Sequence, residues 1–133
     1  MAFQHRVSFV TLASSNLDRL VEFYQYLFGF SPTLYMPQKY AEFQLSGLRL
    51  GIFQPQLDNI SEFAAFSSGQ MSLCFEVDNL EDAIQAVEIV YTSLSIASGD
   101  RLIMGKIMAA SHGREIYAYD IDGNRLILHE ANS

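Results

Sequence analysis

Polar and apolar positions alternate over residues 115–119 and again over 125–130, on either side of Asp120-Ile121-Asp122-Gly123-Asn124. In such a turn the Asp and Asn side chains bond back to local backbone and glycine accepts a positive φ. The stretch therefore predicts a β-hairpin whose turn carries a bulge at Gly123. Its second strand has two unlike faces, because successive side chains point to opposite sides of a strand. Leu126 and Leu128 share one face; Arg125, Ile127 and His129 share the other. The first reads as core. The second mixes charge, imidazole and aliphatic carbon, as a ligand-facing surface does.

Earlier in the chain, residues 6–13 are rich in Val, Phe and Thr and predict a first strand. Asn16 offers an N-cap, and Leu17, Leu20, Val21, Tyr24 and Leu27 follow at helical spacing up to Gly29, which ends the helix. Residues 39–45 and 48–54 form a second hairpin around Ser46-Gly47. Residues 71–77 predict another strand. Asp78-Asn79 then caps a helix with Leu80, Ala83, Ile84, Val87 and Val90 on its apolar face. Residues 94–97 and 102–108 read as short strands, and 109–114 as a loop. The order strand, helix, strands occurs twice. Sliding Phe9 onto Ser72 brings Leu17 onto Leu80 and matches Asn16-Leu17-Asp18 with Asn79-Leu80-Glu81. An internal repeat of this kind dictates the fold. The first module covers about residues 5–54, a linker 55–70 and the second module 71–131, within one domain spanning 1–133. Phe63, Ala64, Ala65 and Phe66 in the linker predict a short docked turn.

Length and composition narrow the function. A chain of 133 residues that is 50% hydrophobic and 17% charged buries a real core. No apolar run approaches the roughly 18 residues of a membrane span, and the first residues lack the apolar segment of a signal peptide. A cytoplasmic location is expected. The single Cys74 excludes an internal disulfide framework. A net charge of −7 and scattered basic residues argue against nucleic acid.

Four short motifs in this order resemble the glyoxalase / bleomycin-resistance / dioxygenase group, the vicinal oxygen chelate superfamily. They are Asn16-Leu17 with Val21-Glu22-Phe23-Tyr24 and Leu27-Phe28-Gly29-Phe30; then Gly47-Leu48-Arg49-Leu50-Gly51-Ile52-Phe53; then Phe75-Glu76-Val77-Asp78-Asn79-Leu80; and last Asp120-Ile121-Asp122-Gly123-Asn124, where the family commonly has proline at Ile121. The resemblance implies an α+β fold: two βαβββ modules forming a curled mixed-sheet cradle, helices on the outer face and ligand in the concave cleft. It also implies a homodimer. Alternation agrees with two faces. Val10, Leu12, Leu48, Leu50, Ile52, Leu73, Phe75, Leu126 and Leu128 form an apolar phase. The opposite phase carries Phe9, Arg49, Phe53, Ser72, Cys74, Glu76, Arg125, Ile127 and His129, to which Tyr117 and Tyr119 add rings that line the cleft with Tyr40.

Metal-dependent members of this group place His or Glu at four inward positions. Aligning on the motifs puts these at Phe9, Gly51, Ser72 and Ile127, none a competent ligand. No metal and no cofactor are therefore expected. His5 and His112 read as surface residues, His129 as a polar wall residue, and Cys74 as a small buried hydrophobe.

Three functional readings follow. The first is a metal-free small-molecule-binding protein whose concave cleft takes an organic molecule with an acidic group and an aromatic ring, gripped by Arg49 and Arg125. Glu42 and Glu76 are the carboxylates that would otherwise neutralise those arginines. The second is a lyase, isomerase or dioxygenase with a displaced metal site, or one using Glu76 or His129 as base. The third is an interaction module with a vestigial cleft.

Overall fold

The computed structural model describes residues 2–64, 71–96 and 105–132. They fall into two compact units, one of residues 2–25 and 29–64, the other of residues 26–28, 71–96 and 105–132.

The first unit contains β1 (Val10–Ala13), α1 (Leu17–Phe28, whose last turn is grouped with the second unit), β2 (Leu34–Met36), β3 (Tyr40–Leu45) and β4 (Leu48–Phe53). Its sheet has the order β1-β4-β3-β2, with β1 parallel to β4 and the other pairs antiparallel. Helix α1 begins where Asn16 accepts a hydrogen bond from the Arg19 amide at 3.4 Å. It ends where Gly29, at φ 79°, donates to the Gln25 carbonyl at 2.9 Å. A left-handed end of this kind suits glycine, which has no Cβ to clash. Leu17, Leu20, Val21, Phe23 and Tyr24 are buried, as are Ala41, Phe43, Leu50 and Ile52 on one phase of the sheet. The Tyr24 and Phe43 rings meet at 6.5 Å, which fixes that phase as the helix-covered side.

The second unit repeats the plan with β5 (Ser72–Glu76), α3 (Leu80–Ser93), β6 (Met108–Ala110), β7 (Gly113–Tyr119) and β8 (Arg125–Ala131). The order β5-β8-β7-β6 and the parallel β5–β8 pair match the first sheet strand for strand. The helix cap repeats too: Asn79 accepts from the Asp82 amide at 2.9 Å. Leu73, Leu80, Val87, Val90, Ile116, Ala118, Leu126 and Leu128 are buried here. The α+β fold of two repeated modules is thus as the sequence implies.

Several boundaries differ from the sequence reading. Only Val10–Ala13 of residues 6–13 is paired, running parallel to Leu50–Phe53 of the partner strand. The strand β2 lies between Pro32 and Pro37, where the sequence showed only a connection; it is a short exposed edge whose hydrogen bonds come from β3. Residues 94–96 are not a strand: Leu94 ends α3 by donating to the Val90 carbonyl, and Ser95 turns left-handed at φ 55°. Residues 105–107 are not strand either, and the expected strand's residues 102–104 lie outside the described residues, as does Ala97. The expected loop 109–114 is instead a tight hairpin, in which Ala110 pairs with Gly113 around Ser111-His112. Within the linker, a 3-10 turn (Leu57–Asn59) leads into α2 (Ile60–Ala64), and Phe63 meets Phe53 edge-on at 5.2 Å. Phe66 lies outside the described residues.

Candidate functional site

Each sheet has one face covered by its helix and one open. On the second sheet, register decides what the open face carries. Ser72 lies beside Arg125, Cys74 beside Ile127 and Glu76 beside His129. Across β8, the same three rows continue with Tyr119, Tyr117 and Glu115. Arg125 is held in place: its Nε donates to Ser72 Oγ at 2.7 Å, and its guanidinium stands 5.8 Å from the Tyr117 ring centroid. That distance is within reach of a cation–π attraction.

At the other end of the face, His129 Nδ1 and Glu76 Oε1 are 2.8 Å apart. A carboxylate only accepts, so Nδ1 carries the proton. The two side chains are unequally placed: Glu76 is 68% exposed and His129 only 4%. His129 is on the face where alternation puts it, yet its ring is buried. The ring lies 4.6 Å from that of His112, whose Nδ1 meets Ser111 Oγ at 2.8 Å. A Cβ at Gly113 would stand 2.9 Å from His129 Nε2, so the glycine leaves room for the ring. His129 Nε2 is buried without a hydrogen-bond partner. Such a group is costly.

Cys74 is exposed on the same face, which corrects the reading of it as a buried hydrophobe: its chain neighbours Leu73 and Phe75, on the opposite phase, turn toward the core instead. Residual desolvation raises the thiol pKa above its ordinary value, and the Glu76 and Glu115 carboxylates raise it further. A thiol held protonated is a poor nucleophile.

On the first sheet, the Arg49 guanidinium lies 5.4 Å from the Phe9 ring centroid and meets no carboxylate among the described residues. Tyr40 donates to Glu42 Oε2 at 2.7 Å. Burial and that carboxylate push the phenol up to about 12. The carboxylates expected to neutralise the arginines are thus engaged by other groups, Glu42 by Tyr40 and Glu76 by His129. Below the sheet edge, Phe53, Gln54, Pro55, Gln56, Asn59, Glu62 and Phe63 line an open depression of about 570 Å³.

The residues at Phe9, Gly51, Ser72 and Ile127 do not fit a metal centre. Beyond lacking donors, Gly51 is blocked: a Cβ there would lie 2.8 Å from Tyr40 Oη and 3.1 Å from Thr11 Cγ2. No group of three or more His, Cys, Asp or Glu among the described residues could hold a metal ion. The space near two of these positions is taken by cations of the chain itself. Arg49 precedes Gly51 by two residues and leans on Phe9; Arg125 precedes Ile127 by two and leans on Ser72. The arginines occupy equivalent places in the repeat.

The sequence model of the Glyoxalase/Bleomycin resistance protein/Dioxygenase superfamily matches residues 6–128. The chain belongs to this superfamily. Metallothiol transferase FosB of Shouchella clausii (strain KSM-K16) is 27% identical over 124 residues, 92% of this chain and 78% of that protein. Two solved superfamily folds superpose on the chain. A glyoxalase-related enzyme from Fulvimarina pelagi has a TM-score of 0.70 at 23% identity, covering 96% of this chain and 88% of its own. A bleomycin-binding protein complexed with bleomycin has a TM-score of 0.63 at 21% identity, covering 96% and 100%. Among the described residues, no helix is long and apolar enough to cross a membrane, which says nothing of membrane-spanning strands.

Sequence reasoning missed Arg114, Glu130 and Gly113. Arg114 bridges Glu81 at 2.8 Å and Glu130 at 2.8 Å, while Glu130 also accepts from the Leu80 amide at 2.9 Å and so caps α3. The Arg114 guanidinium holds the Glu81 carboxyl down at about 2. Charged residues at alternate strand positions are ordinary, and nothing local marks these as a network.

Proposed function

We propose that this chain is a metal-independent small-molecule-binding protein of the superfamily, taking an organic acid with an aromatic or apolar body on the open face of a sheet. The observation that carries the reading is the pair of repeat-equivalent arginines, Arg49 over Phe9 and Arg125 over Tyr117, beside positions that hold no metal ligand. A guanidinium fixed against a ring presents donors to a carboxylate and a flat surface to its body. A bleomycin-binding protein among the structural relatives supports ligand binding without requiring chemistry. The metallothiol transferase relative supports a catalytic alternative. One observation favours that second reading, the 2.8 Å bond between His129 and Glu76. With the imidazole buried, Glu76 would be the base.

The test is a thermal-shift screen with benzoate and 4-hydroxybenzoate as probes, with and without EDTA. A binder raises the melting temperature by mass action. Stabilisation should survive EDTA and be weakened in Arg49→Ala and in Arg125→Ala, with the ligand-free melting temperatures close to wild type. Stabilisation that requires added divalent metal overturns the proposal. So do variants that melt far lower without ligand, since the arginines would then be structural.

A further inference from the structure

We propose that the ligand of the second sheet is amphoteric, its anionic group at Arg125 and an ammonium group at Glu76, with an apolar stretch between them over Ile127 and Tyr117. This rests on reading that face as a binding face. It goes further by assigning the far end of the ligand.

The three rows of the open face differ in charge. Arg125 with Ser72 forms a positive row, Ile127 with Cys74 and Tyr117 a neutral one, and Glu76 with Glu115 an acidic one on either side of His129. From Arg125 to His129 is four steps along β8, roughly 13 Å at strand rise. The rows are therefore too far apart to neutralise each other directly, and Glu115 has no ion pair among the described residues. The fields of Glu76 and Glu115 both reach the Cys74 thiol, so the two carboxylates act on the same space above the neutral row.

His129 explains why Glu76 is the contact. The imidazole is buried and cannot touch a ligand, whereas the carboxylate it holds is largely exposed. Its Nδ1 binds one Glu76 oxygen at 2.8 Å. The second oxygen remains for a ligand. A buried ring with an unpartnered Nε2 is hard to account for as packing alone, since an apolar side chain of similar size would avoid the unmet nitrogen. As a positioning residue for Glu76 it has a use. A simple anion placed at Arg125 would set its tail against two carboxylates. A simple cation would do the reverse. A molecule carrying both charges meets both rows.

The experiment compares 8-aminooctanoate, octanoate and octylamine by NMR titration of the wild-type chain and of Glu76→Gln. The amino acid should bind about tenfold more tightly than either singly charged probe, as one charge-assisted hydrogen bond allows. Glu76→Gln, which keeps a partner for His129, should bring it down to the affinity of octanoate. Glu115→Gln should weaken it partially, and 4-aminobutanoate, too short to span the rows, should bind no better than octanoate. Equal binding of octanoate and 8-aminooctanoate, unchanged in Glu76→Gln, overturns the amphoteric ligand and leaves an acid-binding face intact. Binding of none of the probes below about 10 mM overturns both that inference and the acid-binding reading of this face.

Discussion

Replacing Asp120 by alanine should destabilise the protein by about 3 kcal/mol. The side chain is fully buried in the turn between β7 and β8. Its Oδ1 accepts from the Asp122 amide at 2.9 Å and the Asn124 amide at 3.0 Å, and its Oδ2 accepts from Asn124 Nδ2 at 2.8 Å. A hydrogen bond to a charged group contributes roughly 1.5–3 kcal/mol net. Three such bonds do not add in full, because all three donors sit in a partly buried turn where water can replace some of what is lost. Removing a buried charge also recovers part of its desolvation cost. These opposing corrections bring the sum down to about 3 kcal/mol, a large part of the roughly 5–15 kcal/mol that holds a domain of this size. Urea unfolding followed by circular dichroism measures it, with the slope unchanged if only the native turn is affected. Asp120→Asn is the control. Its oxygen can still accept both amides, but its NH₂ then faces Asn124 Nδ2, and Asn124 must turn its own amide to present oxygen. That variant should cost about 1 kcal/mol. A loss below about 1 kcal/mol for Asp120→Ala would refute the assignment of this carboxylate as the organiser of the turn.

Two further outcomes follow from packing and charge. Gly113→Ala drives a Cβ into the Glu130 carbonyl oxygen, which is backbone and cannot give way, whereas Gly51→Ala meets the movable end of Tyr40 at 2.8 Å; the first should cost more than about 3 kcal/mol and the second about 1 kcal/mol in urea unfolding, and equal costs would refute this difference between the two sites. Glu81 is held down from its ordinary 4.5 to about 2, and Glu130 is also lowered, by its bond from the Leu80 amide first and by Arg114 second. Depressed carboxylates stabilise the fold above their unfolded pKa and lose that contribution as pH falls through the folded one. Stability should therefore decline between about pH 4.5 and about pH 2, and Arg114→Met should flatten that decline; an unchanged acid limb in the variant would show that the network does not operate in solution.

What was legible in the sequence was whatever local chemistry decides. Asn16 and Asn79 announce helix starts because a short polar side chain reaches the amide three residues on. Gly47 and Gly123 mark turns because φ values of 80° and 87° suit a residue without Cβ. Alternation on β8 gave the right face for Arg125, Ile127 and His129 because β7 and β5 pair with it in the expected phase. What was not legible depends on partners distant in sequence. The edge strands β2 and β6 have three residues each and exist because β3 and β7 offer hydrogen bonds, not because their own side chains insist. The burial of His129 is set by His112 and by the missing side chain of Gly113, on a different strand and its turn.

The repeat settles which of these features belong to the scaffold and which to the site. Features present in both halves, the Asn caps, the strand order and the parallel first pair, answer to the fold's own demands, since each half must solve the same packing problem. Features present in one half only are free of that demand. Arg49 and Arg125 stand at equivalent positions and both lean on a ring, Phe9 in one half and Tyr117 in the other, and Arg125 in addition donates to the Ser72 hydroxyl. The buried His129 and its exposed carboxylate have no counterpart: the residue two beyond Gly51 is Phe53, which meets Phe63 instead. A buried imidazole with an unmet nitrogen in one half, where the other half manages with a phenylalanine, is therefore not something the fold requires. That asymmetry is the physical reason to look for the specificity of this protein at Glu76.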